Sequence, residues 1–128
     1  MSERALVVVA EDDEDILRLV TRRLERDGYE VRQARDGAQA LGAARDHRPA
    51  LVLLDVSMPV LDGLEVLRRI RGDESLAGIR VVLLTAMAQE QDVRRAFEAG
   101  ADGYIRKPFG LTELSAKVAQ VLGQPAGS

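Results

Sequence analysis

Five times in succession, a short apolar run that reads as a strand is followed by a stretch that reads as a helix. This alternation constrains the fold more than any other feature of the chain. Leu6 to Ala10 is short, β-branched and closed by acids. From about Asp13 to Asp27 the period turns helical, with Ile16, Leu17, Val20 and Leu24 on one face and Gly28 as the stop. Tyr29 to Ala34 alternates apolar and polar, and Asp36 to Asp46 is an alanine-rich helix. Leu51 to Asp55 is an apolar strand ending in a carboxylate. A loop with Pro59 and Asp62-Gly63 follows, then a helix from Leu64 to about Arg71. Val81 to Thr85 is a fourth strand, and the helix from about Glu90 to Ala99 carries only a thin stripe of Val93, Ala96 and Phe97. Gly103 to Lys107 is a short fifth strand. Thr112 to Leu122 closes the series with Leu114, Val118, Val121 and Leu122 inward.

Repeated strand-helix units predict an α/β fold: a doubly wound, five-stranded parallel sheet with helices on both faces. Continuous apolar strands belong where both faces are covered, which suits the first, third and fourth. The alternating second and the short fifth suit the edges. Those placements are compatible with the order 2-1-3-4-5, which puts a switch point between strands one and three, where such sheets bind their ligands.

A chain of 128 residues, 46% of them hydrophobic, has material for one domain and one core. We assign residues 1–122 to it and residues 123–128 to a flexible tail or the start of a linker. No apolar run approaches the ~18 residues of a membrane span, and Ala5 to Ala10 is too short for a signal-peptide core, so a cytoplasmic protein is expected. The absence of cysteine excludes disulfides and thiolate chemistry. A net charge of −3 without any basic block argues against nucleic-acid binding by this domain.

In a parallel sheet the carboxyl ends of the strands face one way. The ends here deliver Glu11 and Asp12, Asp55, Thr85 and Lys107 to one crevice. Converging carboxylates repel, and the usual relief is a raised pKa or a bound cation. Oxygen ligands without histidine or cysteine suit Mg²⁺ or Mn²⁺, which in turn favour a phosphate oxygen. A carboxylate such as Asp55 can be the nucleophile of an aspartyl phosphate, with the Lys107 ammonium and Thr85 hydroxyl to meet the phosphoryl group. The first loop, five acids without a glycine, is the opposite of a backbone cradle for a nucleotide or flavin phosphate.

The segments carrying these residues are Val9-Ala10-Glu11-Asp12-Asp13, Leu53-Leu54-Asp55-Val56-Ser57-Met58-Pro59, Asp62-Gly63, Leu83-Leu84-Thr85-Ala86, and Gly100 through Phe109. With them the chain resembles the receiver domains of bacterial two-component response regulators from about Ala5 to Leu122. The resemblance implies the flavodoxin-like receiver fold and phosphoryl transfer to Asp55 from a sensor histidine kinase or phosphotransfer protein. It implies Mg²⁺ held directly by Asp12 and Asp55, through water by Glu11, and by the Ser57 backbone carbonyl. It further implies Thr85 and Tyr104 as switch residues, Lys107 paired with the phosphoryl group, and a cis bond at Lys107-Pro108. The downstream protein or output domain would meet the fourth helix, fifth strand and fifth helix, and a phosphorylation-dependent homodimer is compatible with it. On this reading the protein is a switch and not an enzyme beyond its self-catalysed phosphorylation and dephosphorylation. Glu11 stands where the family more often has aspartate, which predicts altered affinity without loss. The resemblance also implies that Ser57 and Met87 occupy positions that tune the phosphoryl lifetime in the family.

Two other readings stay open at this stage. A haloacid-dehalogenase-type phosphatase also uses an aspartyl phosphate, but wants a second aspartate where Ser57 stands. A degenerate receiver would signal as a binding module without phosphorylation. Elsewhere the expectation is plain: Asp13, Glu14 and Asp15 serve the helix start. Asp92, Asp102, Lys117 and the Arg22-Arg23 and Arg94-Arg95 pairs are solvated surface. Lone His47 plays no relay role.

Overall fold

The computed structural model describes residues 4–86 and 89–123. In chain order the elements are β1 (Leu6–Ala10), α1 (Glu14–Arg26), β2 (Glu30–Ala34), α2 (Gly37–His47), β3 (Leu51–Asp55), α3 (Gly63–Arg71), β4 (Arg80–Thr85), α4 (Glu90–Glu98), β5 (Gly103–Arg106) and α5 (Leu111–Val121). A single 3-10 turn at Glu74–Leu76, which the sequence pattern does not announce, joins α3 to β4. All strands pair in parallel in the order 2-1-3-4-5. The predicted arrangement of central and edge strands is the observed one.

The period of two along each strand divides the core into two layers. Val8, Ala10, Val52, Leu54, Val81 and Leu83 point toward α2, α3 and the one buried residue of α4, Ala96. Val7, Val9, Leu51, Leu53, Val82, Leu84 and Ile105 point the other way, against Leu17, Val20 and Leu24 of α1 and Leu114 and Val118 of α5. Aspartates start three of the helices in the same manner. Asp13 accepts from the Asp15 and Ile16 amides, Asp36 from Gln39 and Asp62 from Glu65, each satisfying donors the helix leaves unpaired.

The structure departs from the sequence expectation in several places. In α4, Phe97 faces solvent at 47% exposure, leaving Ala96 as the helix's buried contact. In α5 the buried set is Leu114, Val118 and Ala119, while Val121 and Leu122 lie at the margin of the core. Lys117, Arg23 and Asp92 are half-buried rather than fully solvated. Asp102 is not simple surface either. Its carboxylate takes the Arg71 guanidinium at 2.7 Å and the Val81 amide at 2.8 Å, while Arg71 also donates to the Gly100 and Ile79 carbonyls at 2.9 and 2.8 Å. One guanidinium thus ties the end of α3 to the start of β4 and the turn into β5, which arginine's rigid fork of donors suits. We expect Arg71→Ala to lose about 2 kcal/mol in urea unfolding, because partly buried acceptors lose a charged donor. A loss below about 0.5 kcal/mol would place the clamp among weak surface pairs. The positions of Met87 and of the tail Gln124–Ser128 lie outside the described residues.

Candidate functional site

The five-acid run divides its labour by position. Asp13 caps α1, Asp15 pairs with Arg18 at 2.7 Å, and Glu14 reaches across to Arg35, which holds the Glu14 carboxyl below the usual carboxylate range. Those three serve the helix start and its surface, as expected. Glu11 and Asp12 turn instead toward the end of β3. Oxygens of Glu11, Asp12 and Asp55 lie within 4.8 Å of one another, with Glu11 and Asp55 buried and Asp12 exposed at the mouth.

Parallel pairing of β1 with β3 and of β3 with β4 brings these strand ends level. β5 follows, and its last turn returns Lys107 over the pocket, its amide bonded to the Thr85 carbonyl at 2.8 Å. The Lys107 ammonium lies 2.9 Å from a Glu11 oxygen and 3.2 Å from an Asp55 oxygen. The other Glu11 oxygen accepts from the Asp13 amide at 3.2 Å, and the other Asp55 oxygen from the Ser57 amide at 3.2 Å. Glu11 is 1% exposed and Asp55 3%. One ammonium therefore serves two buried carboxylates, with a third at the rim.

The electrostatics follow from that count. Burial, reinforced by Asp55 alongside, pushes the Glu11 carboxyl above the ordinary glutamate value despite Lys107. Burial pulls the Lys107 ammonium down, but the Glu11 and Asp55 carboxylates outweigh it and leave the group above the usual lysine value. Thr85 is buried at the neighbouring strand end. Tyr104 lies half-buried within the edge strand, in register with Leu83 and three residues short of Lys107. The Lys107-Pro108 peptide is cis. The structure thus gathers Glu11, Asp12, Asp55 and Lys107 around one point. It places Ser57 and Thr85 beside them and Tyr104 on the adjoining edge.

A contribution that residue types alone do not disclose comes from Gly63. A Cβ there would stand 2.4 Å from the Asp55 carbonyl oxygen and 2.9 Å from the Val56 Cα, and the Gly63 amide bonds the Val56 carbonyl at 2.9 Å. The start of α3 is therefore seated directly against the backbone that carries Asp55. The sequence signal is the Asp62-Gly63 pair, which by residue type alone reads as a turn. Gly63→Ala should cost about 2 kcal/mol of stability, since both nearest neighbours are backbone and cannot give way cheaply. Equilibrium unfolding decides it, and a stability within about 0.5 kcal/mol of the wild type would show that α3 can shift freely.

Oxygen-only donors with an excess of negative charge fit Mg²⁺ or Mn²⁺ by the chemistry of the set.

Residues 7–119 match the family of response regulator receiver domains. Over 116 residues the chain is 41% identical to the DNA-binding dual master transcriptional regulator RpaA of Synechocystis sp., covering 91% of this chain and 48% of that protein. It is 40% identical to the alkaline phosphatase synthesis transcriptional regulatory protein PhoP of Bacillus subtilis, over 91% of this chain and 48% of that one. The chain thus spans about half the length of these relatives. Against the polar-differentiation response regulator DivK of Brucella anthropi it is 36% identical, and there the match covers 91% of this chain and 95% of the relative. Among solved structures, the Francisella response regulator 1452 receiver domain superposes with a TM-score of 0.88 at 28% identity, over 94% of this chain and 98% of that one. The chemotaxis protein CheY4 of Vibrio cholerae gives 0.87 at 29%, over 93% and 99%. With its sheet order, its strand-end acids and lysine and these matches together, the chain belongs to the response regulator receiver domains of two-component signalling.

Proposed function

We propose that this domain, residues 1–122, accepts a phosphoryl group on Asp55 from a sensor histidine kinase or phosphotransfer protein. The observation that carries the reading is a carboxylate 3% exposed at the end of β3, 3.2 Å from the Lys107 ammonium and beside two further acids. An Asp55 oxygen attacks phosphorus, the bond from phosphorus to the donor nitrogen breaks, and an acyl phosphate forms. Lys107 would meet the added negative charge, and Thr85 would bond a phosphoryl oxygen. Ser57 fixes the Asp55 carboxylate through its amide. Asp12 and Asp55 directly, Glu11 through water and the Ser57 carbonyl would hold Mg²⁺ or Mn²⁺. That ion, when bound, supplies positive charge against the phosphoryl oxygens.

Phosphorylation then biases a two-state equilibrium through Thr85 and Tyr104 toward an altered surface on α4, β5 and α5. The outward Phe97 on α4 gives that surface an apolar contact for a downstream protein, an output domain or a second copy. Among the described residues no helix is long and apolar enough to cross a membrane. We assign the domain to the cytoplasm, where a kinase's phosphoryl group is supplied. The chain is the substrate of its own chemistry, and Ser57, where a phosphatase would carry its acid, does not supply turnover.

The test is incubation with a small phosphodonor, acetyl phosphate or phosphoramidate, with and without Mg²⁺, followed by intact and peptide mass spectrometry. One phosphoryl group on the peptide carrying Asp55, dependent on Mg²⁺, is expected. Uptake elsewhere, or none, overturns the reading.

A further inference from the structure

The sheet ends at β2, and among the described residues nothing lies beyond it. The Glu30 amide bonds the Ala5 carbonyl and the Glu11 amide bonds the Ala34 carbonyl, each at 3.0 Å. The even-numbered residues of β2 therefore turn their backbone toward β1. By the alternation of a ladder, the Val31 and Gln33 amides and carbonyls point outward along the open edge. Neither flanking helix overhangs that edge. Glu30, Arg32 and Gln33 are exposed, and a groove of about 580 Å³ runs between Thr21 and Glu25 of α1 and Ala43 and His47 of α2.

The side chains divide by face. Val31 packs on the α1 layer and the Gln33 amide group donates to the Thr21 hydroxyl at 2.9 Å, while Ala34 is buried on the α2 layer. Glu30 and Arg32 thus stand together on the α2 side, 3.6 Å apart and each 53% exposed. So open a pair holds little energy and can be exchanged at small cost. Charges on an edge strand ordinarily discourage pairing, because a chance register sets like against like. Here one register does the opposite. An antiparallel second copy centred on Val31 sets Glu30 against the partner's Arg32 and Arg32 against the partner's Glu30. Centring on Arg32 instead opposes two arginines, and centring on Gln33 leaves Arg32 facing the partner's Ala34.

We propose that β2 is a self-pairing edge that joins two copies of this chain into one continuous sheet, in the register centred on Val31. The Val31 backbone exchanges two hydrogen bonds with its own counterpart across a two-fold axis, and the two Glu30–Arg32 pairs flank them. The axis stands perpendicular to the sheet, so the two acidic pockets open at opposite ends of the joined sheet. Both α4, β5 and α5 surfaces are left at its far edges, free for other contacts.

The test is sedimentation velocity of the unphosphorylated protein from micromolar to millimolar concentration. The samples are the wild type, Glu30→Arg, Arg32→Glu, an equimolar mixture of those two, and the double exchange. Both positions are exposed, so each variant should keep the wild-type unfolding midpoint by circular dichroism. The wild type should pass from monomer to dimer. Each single variant opposes like charges at both pairs and should weaken the dimer about tenfold or more. Mixed together, the two single variants should associate, since every arginine then faces a glutamate, and the double exchange should recover wild-type association. A wild type that stays monomeric at millimolar concentration overturns the proposal. So does a dimer that both single variants retain, which would place the contact on another surface such as Phe97 of α4. A mixture that associates no better than its components rules out this register and sinks the proposal as well. If a single variant fails to fold, the double exchange decides. None of these readouts involves a phosphoryl group or a cation, so their failure leaves the reading of Asp55 untouched.

Discussion

Asp55→Asn is expected to abolish phosphoryl uptake and, at the same time, to make the metal-free protein more stable. The first effect is chemical. A carboxamide is nearly the same shape as the carboxylate and can still accept from the Ser57 amide, but it offers no anionic oxygen to form an acyl phosphate. The second follows from the charge count. Lys107 serves two buried carboxylates, and Asp55 is one of the causes that push Glu11 upward. Removing the Asp55 charge leaves one ammonium for one buried acid, a gain of about 1 kcal/mol, the low end of what relieving buried charge releases. Mass spectrometry reads the first effect and urea unfolding the second. Undiminished uptake by the variant would dismiss Asp55 as acceptor, and a destabilised variant would show that Lys107 needs both acids.

Lys107→Ala is the reverse experiment. It strands Glu11 and Asp55 in the interior without their shared cation, and breaking a buried pair from one side is costly. Lys107 keeps about a quarter of its side chain in solvent, which softens the penalty. We expect about 2–3 kcal/mol at neutral pH. The pH dependence has a definite sign. The folded-state value of Glu11 already lies above its ordinary one. The variant raises it further, since Lys107 is one of the two influences that lower it. A carboxyl raised in the folded state contributes stability that is fully present below its unfolded pKa and lost as pH climbs through the folded value. The variant should therefore approach the wild type in acid, below the ordinary glutamate range, and fall away toward neutrality. Mg²⁺ should restore part of the deficit by supplying positive charge. Parallel stability-versus-pH curves for variant and wild type would sink this account of the pocket.

Much of this is legible in the amino-acid sequence, for a physical reason. Strand ends and helix caps are local matters, so Leu6–Ala10 and Leu51–Asp55 emerge with their read boundaries, and Asp13, Asp36 and Asp62 cap where aspartate should. The convergence of Glu11, Asp12, Asp55 and Lys107 follows from parallel topology alone. What escaped depends on contacts between segments distant in sequence. Asp102 looks like any exposed acid until Arg71, 31 residues earlier, reaches it. Gly37 looks like a poor helix residue until Leu61 is pressed against it, and Gly63 looks like half of a turn until Asp55 lies behind it. Phe97 fits a helical stripe by spacing, yet no neighbour covers enough of it to bury it. Val60 carries no sequence mark of its left-handed backbone at all.

The pairing of Lys107 with Glu11 spans 96 residues. A chain emerging from the ribosome therefore exposes Asp55 long before the lysine that pairs with it has been made. The 52 residues from Asp55 to Lys107 take roughly 3–10 s to make at about 5–20 residues per second. Through that interval β1 and β3 can be present, while the ammonium that offsets their charge is still unmade. If Asp55 is the acceptor proposed above, its reactivity has to wait until β5 has been made and has brought Lys107 beside it.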